Sequence, residues 1–440
     1  MKTQKQTQVR ELISFIDNSP TAFHAVASTA SMLEENGFVR LNEADEWALE
    51  AGKGYYVTRN QSAILAFRIP CNKADHFLIS ATHTDSPMFK LKSNAESLSC
   101  NEYVRLNTEV YGGTILSSWL DRPLSLAGRV ILCENGNFSA KTVKIDRDLL
   151  LIPNVAIHLN RSVNAGYSYN PAVDMLPLFA QKGDAEISLK QILAAELQCD
   201  AEHIVGMDLY VVNRAKGSIW GASEEFFSAP RIDNLMCAFG TFKGFLTAKA
   251  SQNAVTVCYS ADNEETGSAT KQGAGSVFLS DVLDRICEEL EVDKRRMLSS
   301  SMMVSADNGH AKHPNHPELS DAQNSPMLNQ GVVIKSNAAQ KYTTDGMSAA
   351  LFSEICRRAG VPVQYYANRS DMPGGSTLGS ISNTLVPLCT VDIGMAQLAM
   401  HSAYETAGAT DVDYLISAMT KFYSISLDSR ADGIYRLNVQ

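Results

Sequence analysis

The chain has 440 residues, 45% of them hydrophobic and 20% charged, with 38 basic against 48 acidic side chains for a net charge of −10. That balance excludes a disordered or fibrous protein and speaks against nucleic-acid partners, which call for a basic face. The length exceeds what one compact domain needs, so two domains are expected.

The first ten residues are polar and show no secretory signal, and no window approaches the roughly 18 apolar residues of a membrane-spanning helix. Nine cysteines are scattered without a Cys-x-x-Cys pair. Reduced thiols in a cytoplasmic protein are the expectation, with no membrane partner.

In chain order, the first 50 residues read as helical. Val9, Leu12, Ile13 and Ile16 fall at helical spacing, and a second amphipathic stretch covers 22–35 before Gly37. Residues 76–81 read as a buried strand ending at Thr82-His83-Thr84-Asp85. From about 92 to 227 short β-like runs (104–106, 128–132, 142–145, 208–212) are broken by Gly, Asn and Pro. A helix is expected at 235–248, and a strand at 254–260 that ends at Asp262-Asn263-Glu264-Glu265-Thr266-Gly267. Helices at 276–290 and 344–358 alternate with strands at 301–306, ending at Asp307, and at 388–393, before His401.

Strands alternating with helices predict an α/β fold with a doubly wound, mostly parallel sheet. The expected division is an α/β domain from 1–91 and 228–440 and an inserted β-rich domain from 92–227. In such sheets functional groups gather beyond the carboxyl ends of the strands, where these ionisable residues stand.

Catalytic zinc takes imidazole nitrogen and carboxylate oxygen, and a two-metal site adds a bridging carboxylate. His83, Asp233, Glu265, Asp307 and His401 are the candidates. Glu264 beside Glu265 is the sharpest local signal: next to a metal, one carboxylate can be a ligand and the other a general base. Gly267 permits the turn that would aim them inward. A solvated acidic loop is the plainer reading of the same pair. Asp85 can hold the second ring nitrogen of His83. Asp233 could equally be a helix N-cap, and Asp307 could cap a turn with Gly309.

Five blocks in order, however, resemble the aspartyl aminopeptidase family of two-metal peptidases along essentially the whole chain. They are Ala81-Thr82-His83-Thr84-Asp85-Ser86-Pro87, Pro230-Arg231-Ile232-Asp233-Asn234, Asp262-Asn263-Glu264-Glu265-Thr266-Gly267-Ser268, the run from Ser305 to Asn315, and Met400-His401-Ser402. The resemblance implies two zinc ions per subunit, with cobalt or manganese also suited to such ligands. His83 and Asp307 would hold one ion, Glu265 and His401 the other, and Asp233 would bridge. Glu264 would be the general base, Asp85 the orienting carboxylate, and the Asp233–Asn234 peptide cis.

It further implies a substrate pocket lined by His310, Lys335 and Tyr342, and a His158 that reaches a neighbouring subunit's site. The implied assembly is a homododecamer built from dimers through the inserted domain. Peptides with an acidic N-terminal residue are the implied substrates. The alternatives are a neutral-residue (Leu-type) aminopeptidase, a two-zinc deacylase or carboxypeptidase, and a catalytically silent shell protein. His310, His313 and His316 invite a third metal site, but Pro314 and Pro317 break any helix that would align them. The Gly-rich loop 369–377 lacks phosphate-loop spacing and is read as a wall of the cleft.

Overall fold

The computed structural model describes residues 6–183 and 188–439. Its first helix, Thr7–Asn18, buries Val9, Leu12 and Ile16 as their spacing marks out, together with Phe15, while Ile13 is only partly buried. The second, Ala22–Glu35, stops where Gly37 takes a φ of +78°, a conformation open to glycine without steric cost. Residues 36–50 are therefore not helical, contrary to expectation; Val39–Arg40 instead pair in parallel with Tyr55 and Tyr56.

Nine strands form the central sheet. Across it run Val39–Arg40, Gly54–Arg59, Ala63–Arg68, Ala254–Ala261, His76–His83, Met302–Ala306, Cys389–Gly394, Val332–Lys335 and Val363–Tyr366. The middle four are mutually parallel, while Ala63–Arg68 and Val332–Lys335 join them antiparallel. Side chains along each strand alternate between two cores. Leu78 and Cys258 point toward helices Thr7–Asn18, Ala22–Glu35, Ile232–Thr247, Gly346–Ala359 and Ala409–Phe422. Phe77, Ile79, Val257 and Tyr259 point toward Phe278–Glu289, Lys294–Ser299 and Leu378–Leu385. Burial on both faces explains why these strands are mostly apolar runs in the sequence.

His76–His83 comes first in the chain among the parallel strands but lies between Ala254–Ala261 and Met302–Ala306. The winding reverses there, and a crevice opens beyond the strand ends at such a point.

A second, six-stranded antiparallel sheet is drawn from Met88–Ser99, Tyr103–Tyr111, Leu124–Glu134, Asn137–Lys144, Leu178–Gln181 and Ile204–Asn213, and has its own apolar core. A third sheet was not foreseen. Ser218–Trp220, Phe226–Ala229, Glu405–Gly408, Ala396–Leu398 and Gly309–His310 pair in that order. These strands are two to four residues long and come from three distant parts of the chain, so no local periodicity announces them. All nine cysteines are free thiols. Among the described residues no helix is long and apolar enough to cross a membrane.

Candidate metal centre

Three parallel strands deliver half of the centre. His83 ends one strand and stands in register with Ala261, so the Asp262–Gly267 turn begins beside it. Gly267 closes that turn at a φ of +97°. Asp307 follows Met302–Ala306, on the other side of His76–His83. The third sheet delivers the other half. Asp233 follows the strand Phe226–Ala229, and His401 lies in the connection from Ala396–Leu398 to Glu405–Gly408. Arg231 and His401 hold left-handed φ values of +59° and +67°, a costly conformation for such residues that concentrates at functional sites. The Asp233–Asn234 peptide is cis.

The five candidate ligands converge in two groups that share Asp233. His83 Nε2 is 3.5 Å from Asp233 Oδ1 and 3.5 Å from Asp307 Oδ1. His401 Nε2 is 3.5 Å from Asp233 Oδ2 and 3.3 Å from Glu265 Oε2. Donors placed roughly 2.0–2.1 Å from a tetrahedral zinc stand about 3.3 Å apart, so this spacing fits two such ions. Asp233 Oδ1 and Glu265 Oε1 are buried and accept no hydrogen bond among the described residues. Orphaned buried carboxylate oxygens are expensive unless a cation answers them. Asp233 lies within the helix Ile232–Thr247, whose cap position is held by Arg231, so the N-cap reading finds no support.

The electrostatics agree with that fit. Burial, then the charges of Asp307, Asp85 and Asp233, push the Glu264 carboxyl up to about 8 against the lowering effect of His83. Burial and Asp233 push Glu265 well above the carboxylate range. Burial works against a charged His83, yet Asp233, Asp307 and Asp85 hold its pKa well above that of ordinary imidazole. Asp233 is held low against burial by His401 and His83. So many acids in one dry pocket resist ionising together until positive charge joins them, and the donor set is one for divalent cations.

Asp85 meets both the His83 ring and the Glu264–Glu265 turn. Its backbone carbonyl is 3.1 Å from His83 Nδ1, while its carboxylate stands 3.4 Å from that nitrogen. The same carboxylate accepts the backbone N–H groups of Glu264 and Glu265, each at 3.2 Å. Glu405 lacked any sequence signal. Its buried carboxylate accepts the N–H of Asp233 at 3.0 Å and that of His401 at 2.7 Å, tying one ligand of each group to one side chain. Asn308 is a similar hub: its backbone N–H donates to Asn234 Oδ1, and its side-chain amide donates to Ile232 O and to Gln397 Oε1.

Lys335, Tyr342 and His310 are brought together with Tyr366, which the sequence did not single out. Lys335 Nζ lies 5.5 Å from the Tyr342 ring centroid, and Tyr366 packs edge-on against both Tyr342 and His310. The Lys335 side chain is 3% exposed; its ammonium donates to the Asn308 carbonyl at 2.7 Å and lies 3.8 Å from Asp307. Burial opposes its charge, but Asp307 and Tyr342 raise its pKa above the usual value, so it stays an ammonium. His313 and His316 sit on an exposed loop with ring centroids 5.4 Å apart, where His316 pairs with Glu318. His158 is exposed in the irregular stretch after Ile152 and is not part of either ligand group.

The family model described as aminopeptidase I zinc metalloprotease (M18) matches residues 15–423. A probable M18 family aminopeptidase 2 of Clostridium acetobutylicum is 45% identical over 94% of this chain and 98% of its own length. One from Pseudomonas aeruginosa is 39% identical over 94% and 97%. Among solved structures, Ape4 in its complex with Nbr1 superposes with a TM-score of 0.93 at 36% identity, covering 96% of this chain and 86% of that one. The S. cerevisiae mApe1 dodecamer gives 0.85 at 26% identity, covering 96% and 97%.

Proposed function

This chain belongs to the M18 family of zinc metalloproteases and is a metal-dependent aminopeptidase, and from that premise we propose how its own residues carry the reaction. His83 and Asp307 would hold one zinc and His401 and Glu265 a second, with Asp233 shared between the two groups. The observation that carries this reading is the division of Asp233, one oxygen toward each histidine. Cobalt or manganese would suit the same nitrogen and oxygen donors. Metal ions bound there supply Lewis acidity at the scissile carbonyl and make water a better nucleophile.

Glu264 is the general base: its carboxylate takes a proton from the attacking water and returns it to the departing amine. Asp85 positions it by gripping the backbone of the Glu264–Glu265 turn. The free amino terminus of the peptide is drawn to the acidic cluster, which limits cleavage to one residue at a time.

The preferred first residue is Asp or Glu. Lys335 offers a fixed positive charge beside Tyr342 and His310, and only one of its three N–H donors is used by a hydrogen bond within the described residues. The test compares hydrolysis of Asp-, Glu- and Leu-amides after metal removal and controlled restoration. Lys335→Met is expected to lower the Asp-over-Leu ratio of kcat/KM by roughly 10²-fold, since losing one partner of a buried charge pair costs about 2–5 kcal/mol. Equal rates on Asp- and Leu-amides in the unaltered protein would establish the neutral-residue reading instead.

The six-stranded sheet, which begins at Met88 and otherwise lies in the proposed 92–227 inserted domain, serves dimerisation, and the dimers assemble into a dodecamer, the state of the similar S. cerevisiae mApe1. Val155, Ile157 and Leu159, the last 83% exposed, are exposed on either side of His158 in the chain. A second copy covers them and receives His158 in its substrate pocket. Light scattering is expected to report twelve times the 47.9 kDa chain. A monomer with full activity contradicts the shared site.

A further inference from the structure

The strand Tyr103–Tyr111 belongs to the six-stranded sheet, yet its exit runs straight into the metal centre. The Tyr111 hydroxyl donates to Asp85 Oδ2 at 2.7 Å and accepts from Asn263 Nδ2 at 2.8 Å. Gly112 takes a φ of +74°, and a Cβ there would stand 3.1 Å from the Glu265 Cβ, so only glycine lets the chain pass this close. The Gly113 carbonyl is 3.0 Å from His401 Nδ1, leaving Nε2 to face Asp233 and Glu265. The Thr114 hydroxyl and the Ile115 N–H both donate to the His401 carbonyl. Trp119 Nε1 in turn donates to the Thr114 hydroxyl at 2.7 Å. Five consecutive residues therefore hold both sides of the centre.

Resting on the metal-centre reading above, we propose that Tyr111 is a positioning residue: by holding Asp85 it fixes the turn that carries Glu264 and Glu265. Among the described residues the Asp85 carboxylate accepts three hydrogen bonds, two from the backbone of that turn and one from Tyr111. The tyrosine hydroxyl is the only one of the three that comes from the six-stranded sheet. Asn263, immediately before Glu264, is bound to the same hydroxyl, so the turn is gripped from two directions. The second sheet thereby acts on the chemistry within its own subunit, in addition to any role between subunits. Catalytic geometry depends on such supports because a carboxylate displaced by a fraction of an ångström loses its proton path.

The experiment is Tyr111→Phe in the full-length, metal-restored protein, with Tyr210→Phe as control. Tyr210 packs edge-on against Tyr111 with ring centroids 5.6 Å apart, so the control removes a hydroxyl from the same layer. Tyr111→Phe is expected to lower kcat about 10- to 100-fold with KM within about 2-fold, and to weaken zinc binding, measured by chelator competition with zinc chloride, by about 10-fold or more. Tyr210→Phe should leave both near native values. In an Asp85→Asn background the Tyr111→Phe effect on kcat should shrink to less than about 2-fold, because groups that act through one another are not additive.

Native kcat and zinc affinity in Tyr111→Phe overturn the proposal. So does a loss that persists at full size in the Asp85→Asn background, or one that tracks a lowered melting temperature of the metal-free protein. If the unaltered protein neither binds zinc nor cleaves the amides, the metal-centre reading itself has failed, an outcome read from the parent protein before any variant.

Discussion

Glu264→Gln is expected to lower kcat by roughly 10²- to 10⁴-fold while zinc content stays at the parent level, the range in which a positioned general base contributes. The substitution nearly preserves shape while removing the negative charge and the ability to accept a proton. The link between this residue and its support runs through the backbone, from the Glu264 N–H to Asp85 Oδ1, and survives the exchange. The five proposed ligands are other side chains, so their geometry has no reason to change. Steady-state rates on Asp-amide together with elemental analysis make the check. An unimpaired kcat removes Glu264 from the mechanism; a loss that coincides with missing metal makes it a ligand instead.

Asp233→Asn is expected to weaken zinc binding at both positions, by about 10²- to 10³-fold each, and to abolish turnover at ordinary zinc concentrations. Removing one member of a buried charge pairing costs about 3–5 kcal/mol. Among the described residues Asp233 alone belongs to both proposed ligand groups, so here one substitution should empty two sites. His401→Ala, by contrast, should weaken one. Zinc titration with two resolved binding steps distinguishes them. Loss of a single step in Asp233→Asn would mean that the carboxylate serves one ion and does not bridge. Circular dichroism guards against misfolding, since Asp233 stands at the entry to the helix Ile232–Thr247.

Both expectations depend on features that differ in how far local patterns reveal them. His83, Glu264, Glu265 and Asp307 were legible because each follows an apolar run, and buried parallel strands put polar groups at their carboxyl ends. Helices such as Thr7–Asn18 were legible for the same kind of reason, a period that burial imposes on one face. The resemblance to a peptidase family joined these separate signals before any distance was known.

Local pattern was silent on how the two halves meet. Glu405 grips Asp233 across 172 positions of sequence, and Lys335, at the end of Val332–Lys335, is buried with its ammonium on the carbonyl of Asn308. The third sheet that carries Asp233, His401 and Glu405 is made of strands too short to leave a period. Tyr111 reads as one more aromatic in a β-run, yet it holds Asp85. Residue type and spacing report what a segment must bury, because burial repeats along the chain. A carboxylate shared by two imidazoles, or a hydroxyl that supports a catalytic turn, is a single contact between remote segments, and it exists only once packing has brought them within hydrogen-bond distance.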